Sequence, residues 1–79
     1  MARILLVDDD VNLLQMVRLM LERGGHEVET TNKGAEGIAR AARLQPDLAI
    51  IDIMMPDLDG YNVVRRLRAN PVTARIPIL

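Results

Sequence analysis

Three aspartates carry the chemistry in this sequence. Asp8 and Asp9 close the run "RILLV" at the amino terminus, and Asp52 closes "DLAII" in the middle of the chain. Each run is short, apolar and rich in branched side chains, as expected of a strand buried on both faces. An ionised carboxylate at the end of such a strand is costly to desolvate unless it is paired or bound to a metal. Two unit charges about 5 Å apart repel by roughly 3 kcal/mol at an effective dielectric of about 20. If the two strands are neighbours, a hard divalent cation is the natural compensation. All-oxygen ligands suit Mg²⁺, or Mn²⁺ in its place. Asp52 stands alone on its strand, ahead of the stiff pair Met55-Pro56. It is the candidate nucleophile, because carboxylates form aspartyl-phosphate intermediates where a metal neutralises the phosphoryl oxygens. Met54 is a candidate metal ligand through its main-chain carbonyl only, since a thioether suits a hard ion poorly.

The elements that must bring these acids together alternate along the chain. "RILLV" reads as a strand. "VNLLQMVRLMLER" follows as a helix, with Asp10 at its start and Gly24-Gly25 at its end. Its inward face is expected at Leu14, Val17 and Leu21, with Leu13, Met16 and Met20 beside it. "HEVETT" has the alternation of an edge strand with one wet face. "KGAEGIARAARLQP" reads as a second helix, with Ala35, Ile38, Ala39 and Ala42 inward. "DLAII" is a buried strand, "YNVVRRLRAN" a third helix, and "IPIL" a fourth strand. The order β-α-β-α-β-α-β predicts an α/β fold with a parallel sheet. Ligands of such sheets bind outside the carboxyl ends of the strands, where these acids lie.

Composition narrows the function classes. The chain has 79 residues, enough for one small domain, and a net charge of −1. Ten basic and eleven acidic residues form no nucleic-acid footprint, and one aromatic, Tyr61, makes no base-stacking platform. "RRLR" (65–68) reads as a solvated helix face. With no cysteine, disulfides and thiolate metal sites are excluded. The apolar runs are far short of the roughly 20 residues that span a bilayer. The expected location is the cytoplasm. A nucleotide-binding sheet needs a glycine-rich turn after its first strand, where this chain has "VDDD". Other polar residues have simpler readings. Asp57, Asp59 and Gly60 suit turn and helix-start chemistry, and His26 a solvated position. Met16, Met20 and Met55 read as core fillers and Tyr61 as partly buried.

Together, "ILLVDDD", "DLAIIDIMMPDLDG" and "ARIPIL" in this order resemble the receiver domain of two-component response regulators along the whole chain. The resemblance implies a flavodoxin-like, doubly wound sheet of order 2-1-3-4 for residues 1–79. It implies that Asp52 accepts phosphate from a histidine kinase or phosphotransfer protein, that Asp9 ligates Mg²⁺ directly, and that Asp8 holds it through water. Such a domain is a phosphoacceptor in a phosphorelay, not an enzyme beyond metal-dependent self-phosphorylation and dephosphorylation. The family's pattern continues with a Ser or Thr after the fourth strand and a Lys after the fifth. Within these residues Lys33 is the only lysine. The expectation is therefore a truncated receiver with impaired phosphate chemistry. A homodimer through the exposed sheet face and the fourth-strand edge is expected to cover the apolar surface. Two other readings stand beside it: a non-phosphorylated dimerising module or decoy, and a fragment of a longer receiver.

Overall fold

A computed structural model of the chain describes residues 1–56 and 58–79. Six elements alternate: β1 (Arg3–Val7), α1 (Val11–Arg23), β2 (Glu27–Thr31), α2 (Gly34–Leu44), β3 (Leu48–Ile51) and α3 (Gly60–Ala69). The strands form one parallel sheet of order β2-β1-β3. β1 lies in the centre because it is apolar on both faces. Leu5 and Val7 point to one side and Ile4 and Leu6 to the other, and all four are buried. β2, with its glutamates and threonines, takes an edge.

The two faces are covered unequally. On one, Leu5, Val7, Ala49 and Ile51 pack beneath α2 and α3 through Ala41, Val63 and Leu67, with Met55 and Ile76 completing the core. On the other, Ile4 and Leu6 pack beneath α1 through Leu14, and Val17, Leu21, Leu48 and Ile50 are only partly buried around them. β3 is therefore not buried on both faces as its composition suggested. Ala49 and Ile51 are buried, whereas Leu48 and Ile50 are half-covered.

Several helix faces differ from the periodicity reading. Met16 and Met20 are exposed, at 56% and 65%, because α1 meets the sheet through its stripe of Leu14, Val17 and Leu21, and the two methionines lie on another side of the helix. α2 is rotated from the expected face. Gly34, Gly37 and Ala41 are buried, with Ile38 and Ala42 half-buried, while Ala35 and Ala39 are exposed. The reason is close approach: a Cβ on Gly37 would lie 2.8 Å from a methyl of Val7, so glycine lets the helix settle onto β1. Tyr61 is 69% exposed on the outer side of α3. His26 is half-buried, its Nδ1 accepting a hydrogen bond from the Ala2 amide at 3.0 Å.

The carboxyl end also departs from expectation. Residues 76–79 contribute one parallel bridge, Ile78 to Ala49, in place of a strand. The Ala49 amide donates to the Pro77 carbonyl and the Leu79 amide to the Ala49 carbonyl, both at 2.9 Å. Extending the ladder backward would need an N–H on residue 77, which proline lacks. The bridge still puts this segment beside β3, where the expected order has its fourth strand. Between α3 and the bridge, the buried Thr73 hydroxyl donates to the Leu67 carbonyl at 2.7 Å. Arg68 folds back to donate to the Ala74 and Ile76 carbonyls at 2.7 and 2.8 Å. It is thus a structural tie and not part of a purely solvated face. No helix among the described residues is long and apolar enough to cross a membrane.

Candidate functional site

The register of the sheet builds the site. Val7 pairs with Thr31 on one side and Ile51 on the other. The next residues, Asp8 and Asp52, leave the sheet side by side at its carboxyl edge. The Asp52 amide donates to the Val7 carbonyl at 2.8 Å, and the Asp8 amide to the Thr31 carbonyl at 3.2 Å. The two backbones are thereby pinned where the strands end.

The side chains of Asp8, Asp9 and Asp52 converge as the sequence predicts. One carboxylate oxygen from each lies within 4.8 Å of the others. Asp8 and Asp52 are half-buried and Asp9 is exposed. Among the described residues, no arginine, lysine or histidine forms an ion pair with any of the three. Burial raises the Asp8 carboxyl above its ordinary value, and repulsion from Asp52, Asp9 and Asp10 adds to the rise; the hydrogen bond from the Asp10 amide, at 2.9 Å, opposes it. Oxygen-only donors without a protein cation are the donor set of a hard divalent ion.

Asp10 does not join this group as a ligand. Its Oδ1 accepts from the Leu13 amide at 3.1 Å and so caps α1, as expected. Met54, two residues after Asp52, is 78% exposed, and its amide donates to Asp52 Oδ1 at 3.3 Å. This bond turns one Asp52 oxygen toward the loop. Met55 is buried, as expected, and anchors the loop from beneath. Asp9, Ile53, Met54, Met55, Pro56 and Asp59 line a shallow hollow of about 430 Å³ next to the acids. Asp59 caps α3 by accepting from the Asn62 amide at 3.0 Å, and its carboxyl is held below its ordinary value first by that bond. Asp57 lies outside the described residues. Lys33 is exposed at the start of α2, beyond β2 at the far edge from β3.

One residue of the site, Gly60, does more than start a helix. A Cβ on Gly60 would collide with the Asp52 carbonyl oxygen and lie 2.5 Å from the Ile53 Cα. The Gly60 amide also donates to the Ile53 carbonyl at 3.1 Å. The first turn of α3 is packed directly on the backbone that carries Asp52. The glycine after Asp59 was visible in the sequence, but its contact with a residue eight positions earlier was not.

Comparison with known proteins gives a consistent set of relatives. The family model of the response regulator receiver domain matches residues 4–79. The chain is 44% identical over 79 residues to the DNA-binding dual master transcriptional regulator RpaA of Synechocystis sp., covering all of this chain and 33% of that protein. It is 39% identical over 79 residues to protein PilH of Pseudomonas aeruginosa, covering all of this chain and 65% of PilH. The chain thus spans between a third and two thirds of these two relatives. Among solved structures, the N-terminal domain of a response regulator receiver protein from Methanoculleus marisnigri JR1 superposes with a TM-score of 0.95 at 36% identity, over 99% of this chain and 63% of that one. The receiver domain of sensor histidine kinase PA1611 from P. aeruginosa PAO1, solved with a magnesium ion coordinated in its active site cleft, superposes with a TM-score of 0.92 at 32% identity, over 98% of this chain and 63% of that one.

Proposed function

We propose, for a chain that belongs to the response regulator receiver family, that Asp52 is a cytoplasmic phosphoacceptor served by a magnesium site at Asp8, Asp9 and Asp52. The observation that carries this reading is the gathering of three carboxylate oxygens within 4.8 Å, with no protein cation paired to them among the described residues. Asp9 would hold the ion directly, Asp8 through water, and the Met54 main-chain carbonyl would complete the protein's share. Mn²⁺ substitutes for Mg²⁺. The bound ion supplies neutralisation of charge on the phosphoryl oxygens. The chain's own residues do the rest. The Asp52 oxygen not engaged by the Met54 amide attacks phosphorus as the bond to the donor's leaving group breaks. The hollow beside Ile53 and Met54 leaves room for a donor to approach. The donor is the phosphohistidine of a histidine kinase or phosphotransfer protein.

Acetyl phosphate with Mg²⁺ tests this directly. The intact mass of the chain is expected to rise by one phosphoryl group, and Asp52→Asn is expected to block the rise. No incorporation into the wild-type chain overturns the reading. A Mn²⁺ titration followed by electron paramagnetic resonance is expected to show binding that weakens at least about tenfold in Asp9→Asn.

We further propose that a second copy of the chain covers the open side of the sheet. This is supported by the half-covered Leu48 and Ile50, and by the bridge at residues 76–79, which leaves a sheet edge unpaired among the described residues.

A further inference from the structure

Asp8, Asp9 and Asp10 carry the chain from the end of β1 to the start of α1, and this short span is fastened at both ends. At one end the Asp8 amide donates to the Thr31 carbonyl at 3.2 Å. At the other, Asp10 is engaged through its side chain, its carbonyl and its amide. Its Oδ1 accepts from the Leu13 amide at 3.1 Å, its carbonyl accepts from the Leu14 amide at 3.0 Å, and its own amide donates to Asp8 Oδ1 at 2.9 Å. Leu14 is buried against Ile4 and Leu6 of β1. The first turn of α1 is thus tied to the strand that carries the acids.

These contacts close a circuit. The cap holds Asp10 at φ −84° and ψ 99°, which sets the plane of the Asp9–Asp10 peptide and turns its N–H back onto Asp8. A donor on Oδ1 fixes the rotation of the Asp8 carboxylate. Asp9 stands between two residues whose amides are both bonded. The charge of Asp10 adds to the repulsion on Asp8. The amino end of α1, which faces that charge, offsets part of the cost.

We propose that Asp10 is a positioning residue of the metal site: its cap on α1 aims its own amide at Asp8 and so holds Asp8 and Asp9 in the arrangement that receives the ion. The inference rests on the magnesium reading of the acids and adds to it a residue outside the ligand set. The positioning bond comes from the main chain, so it survives any side chain at this position that still caps the helix. By reciprocity, ion binding tightens the cap by the factor with which the cap tightens binding.

Mn²⁺ titrations followed by electron paramagnetic resonance test this on Asp10→Ala, Asp10→Asn and Asp10→Ser. They are run at about 0.5 M KCl, where the through-space pull of an exposed carboxylate is screened. Asp10→Ala, which loses the cap, is expected to bind roughly three- to tenfold more weakly than wild type. Asp10→Asn and Asp10→Ser, which retain a capping oxygen, are expected to stay within about twofold. Thr73→Val, which loosens the fold at a remote turn, is expected to keep wild-type affinity, so a loss in Asp10→Ala is not general instability. In the wild type, Mg²⁺ is expected to slow deuterium exchange at the Leu13 amide several-fold, while the Gln45 amide at the far end of α2 keeps its rate. A wild-type chain that binds no Mn²⁺ overturns the metal site and this inference with it. Wild-type binding with Asp10→Ala unchanged overturns the positioning role alone, and so does Asp10→Asn falling as far as Asp10→Ala. Should Asp10→Ala fail to fold, wild-type exchange decides, and a Leu13 rate indifferent to Mg²⁺ overturns the role.

Discussion

Gly60 lies against the main chain of Asp52 so closely that any side chain there would occupy the position of the Asp52 carbonyl oxygen. The contact joins the first turn of α3 to the residue that ends β3, and the Gly60 amide bond to Ile53 holds the two together. The candidate acceptor is therefore placed by two elements. β1 fixes its amide through Val7, and α3 fixes its carbonyl side.

From this contact, Gly60→Ala is expected to cost about 1–3 kcal/mol, as overpacking against backbone does. The same substitution moves Asp52, so Mn²⁺ affinity is expected to fall several-fold even under conditions where the variant is folded. Urea denaturation and a metal titration on the same preparation check both effects. A variant with native stability and affinity would show that the loop yields without cost.

Charge repulsion at the acids predicts a second effect. The Asp8 carboxyl is raised above 3.8, first by burial and then by its acidic neighbours. A raised carboxyl contributes stability below its unfolded value and loses it as pH rises through the folded value. Asp8→Asn is thus expected to be more stable than wild type at pH 7 without metal, by under about 1 kcal/mol once solvent screening is counted. The difference is expected to close below pH 3.8, where Asp8 is protonated in both states. Asp59 has the opposite sign. Held below 3.8, it contributes stability above that pH and loses it as pH falls through its folded value. Thermal melts between pH 3 and 8, with and without Mg²⁺, separate the two, and Mg²⁺ is expected to raise the wild-type melting temperature more than that of Asp8→Asn.

The turn after α3 supplies a third test. Thr73 is 1% exposed, and its hydroxyl closes the end of the helix on the Leu67 carbonyl. Thr73→Val keeps the shape and removes the donor, leaving a buried carbonyl without that partner. The expected cost is about 1–3 kcal/mol. Thr73→Ser, which retains the hydroxyl, is expected to lose less, and denaturant midpoints for the pair distinguish hydrogen bonding from packing.

At the end of α2, Gln45 adopts φ 47°, a left-handed conformation unfavourable for a residue with a Cβ. Its amide donates to the Ala41 carbonyl and closes the helix. Gln45→Gly is expected to stabilise the fold by up to about 1 kcal/mol. A measured destabilisation would mean that the Gln45 side chain contributes more than its backbone strain removes.

Most of the site was legible in the sequence because parallel strands obey a simple geometry. Two buried runs that each end in aspartate, in a β-α-β order, place their acids at one edge once the strands are adjacent. Asp8, Asp9 and Asp52 needed only that adjacency. The parts that were not legible depend on distances between backbones. Nothing in the spacing of Gly34 and Gly37 shows that α2 turns them inward, because an apolar count favours Ala35 and Ala39. Only the close approach of Val7 to Gly37, and of the Leu58 carbonyl and Val63 to Gly34, makes glycine the inward residue. The exposure of Met16 and Met20 has a related cause. α1 carries apolar residues on more than the one side that meets the sheet, and periodicity alone does not say which remain in water. The expected fourth strand is present as a single bridge, and Pro77 offers no amide with which to carry its ladder backward.

Of the strands described, β1 alone has a strand on each side. Its amides are therefore the ones whose exchange with deuterium requires the sheet to come apart. The loop from Ile53 to Pro56 is largely exposed and opens at far lower cost. The exposed part of the rim that would meet a phosphate donor thus opens before the floor does, while buried Met55 and the Gly60 amide bond to Ile53 tie the loop to the fold.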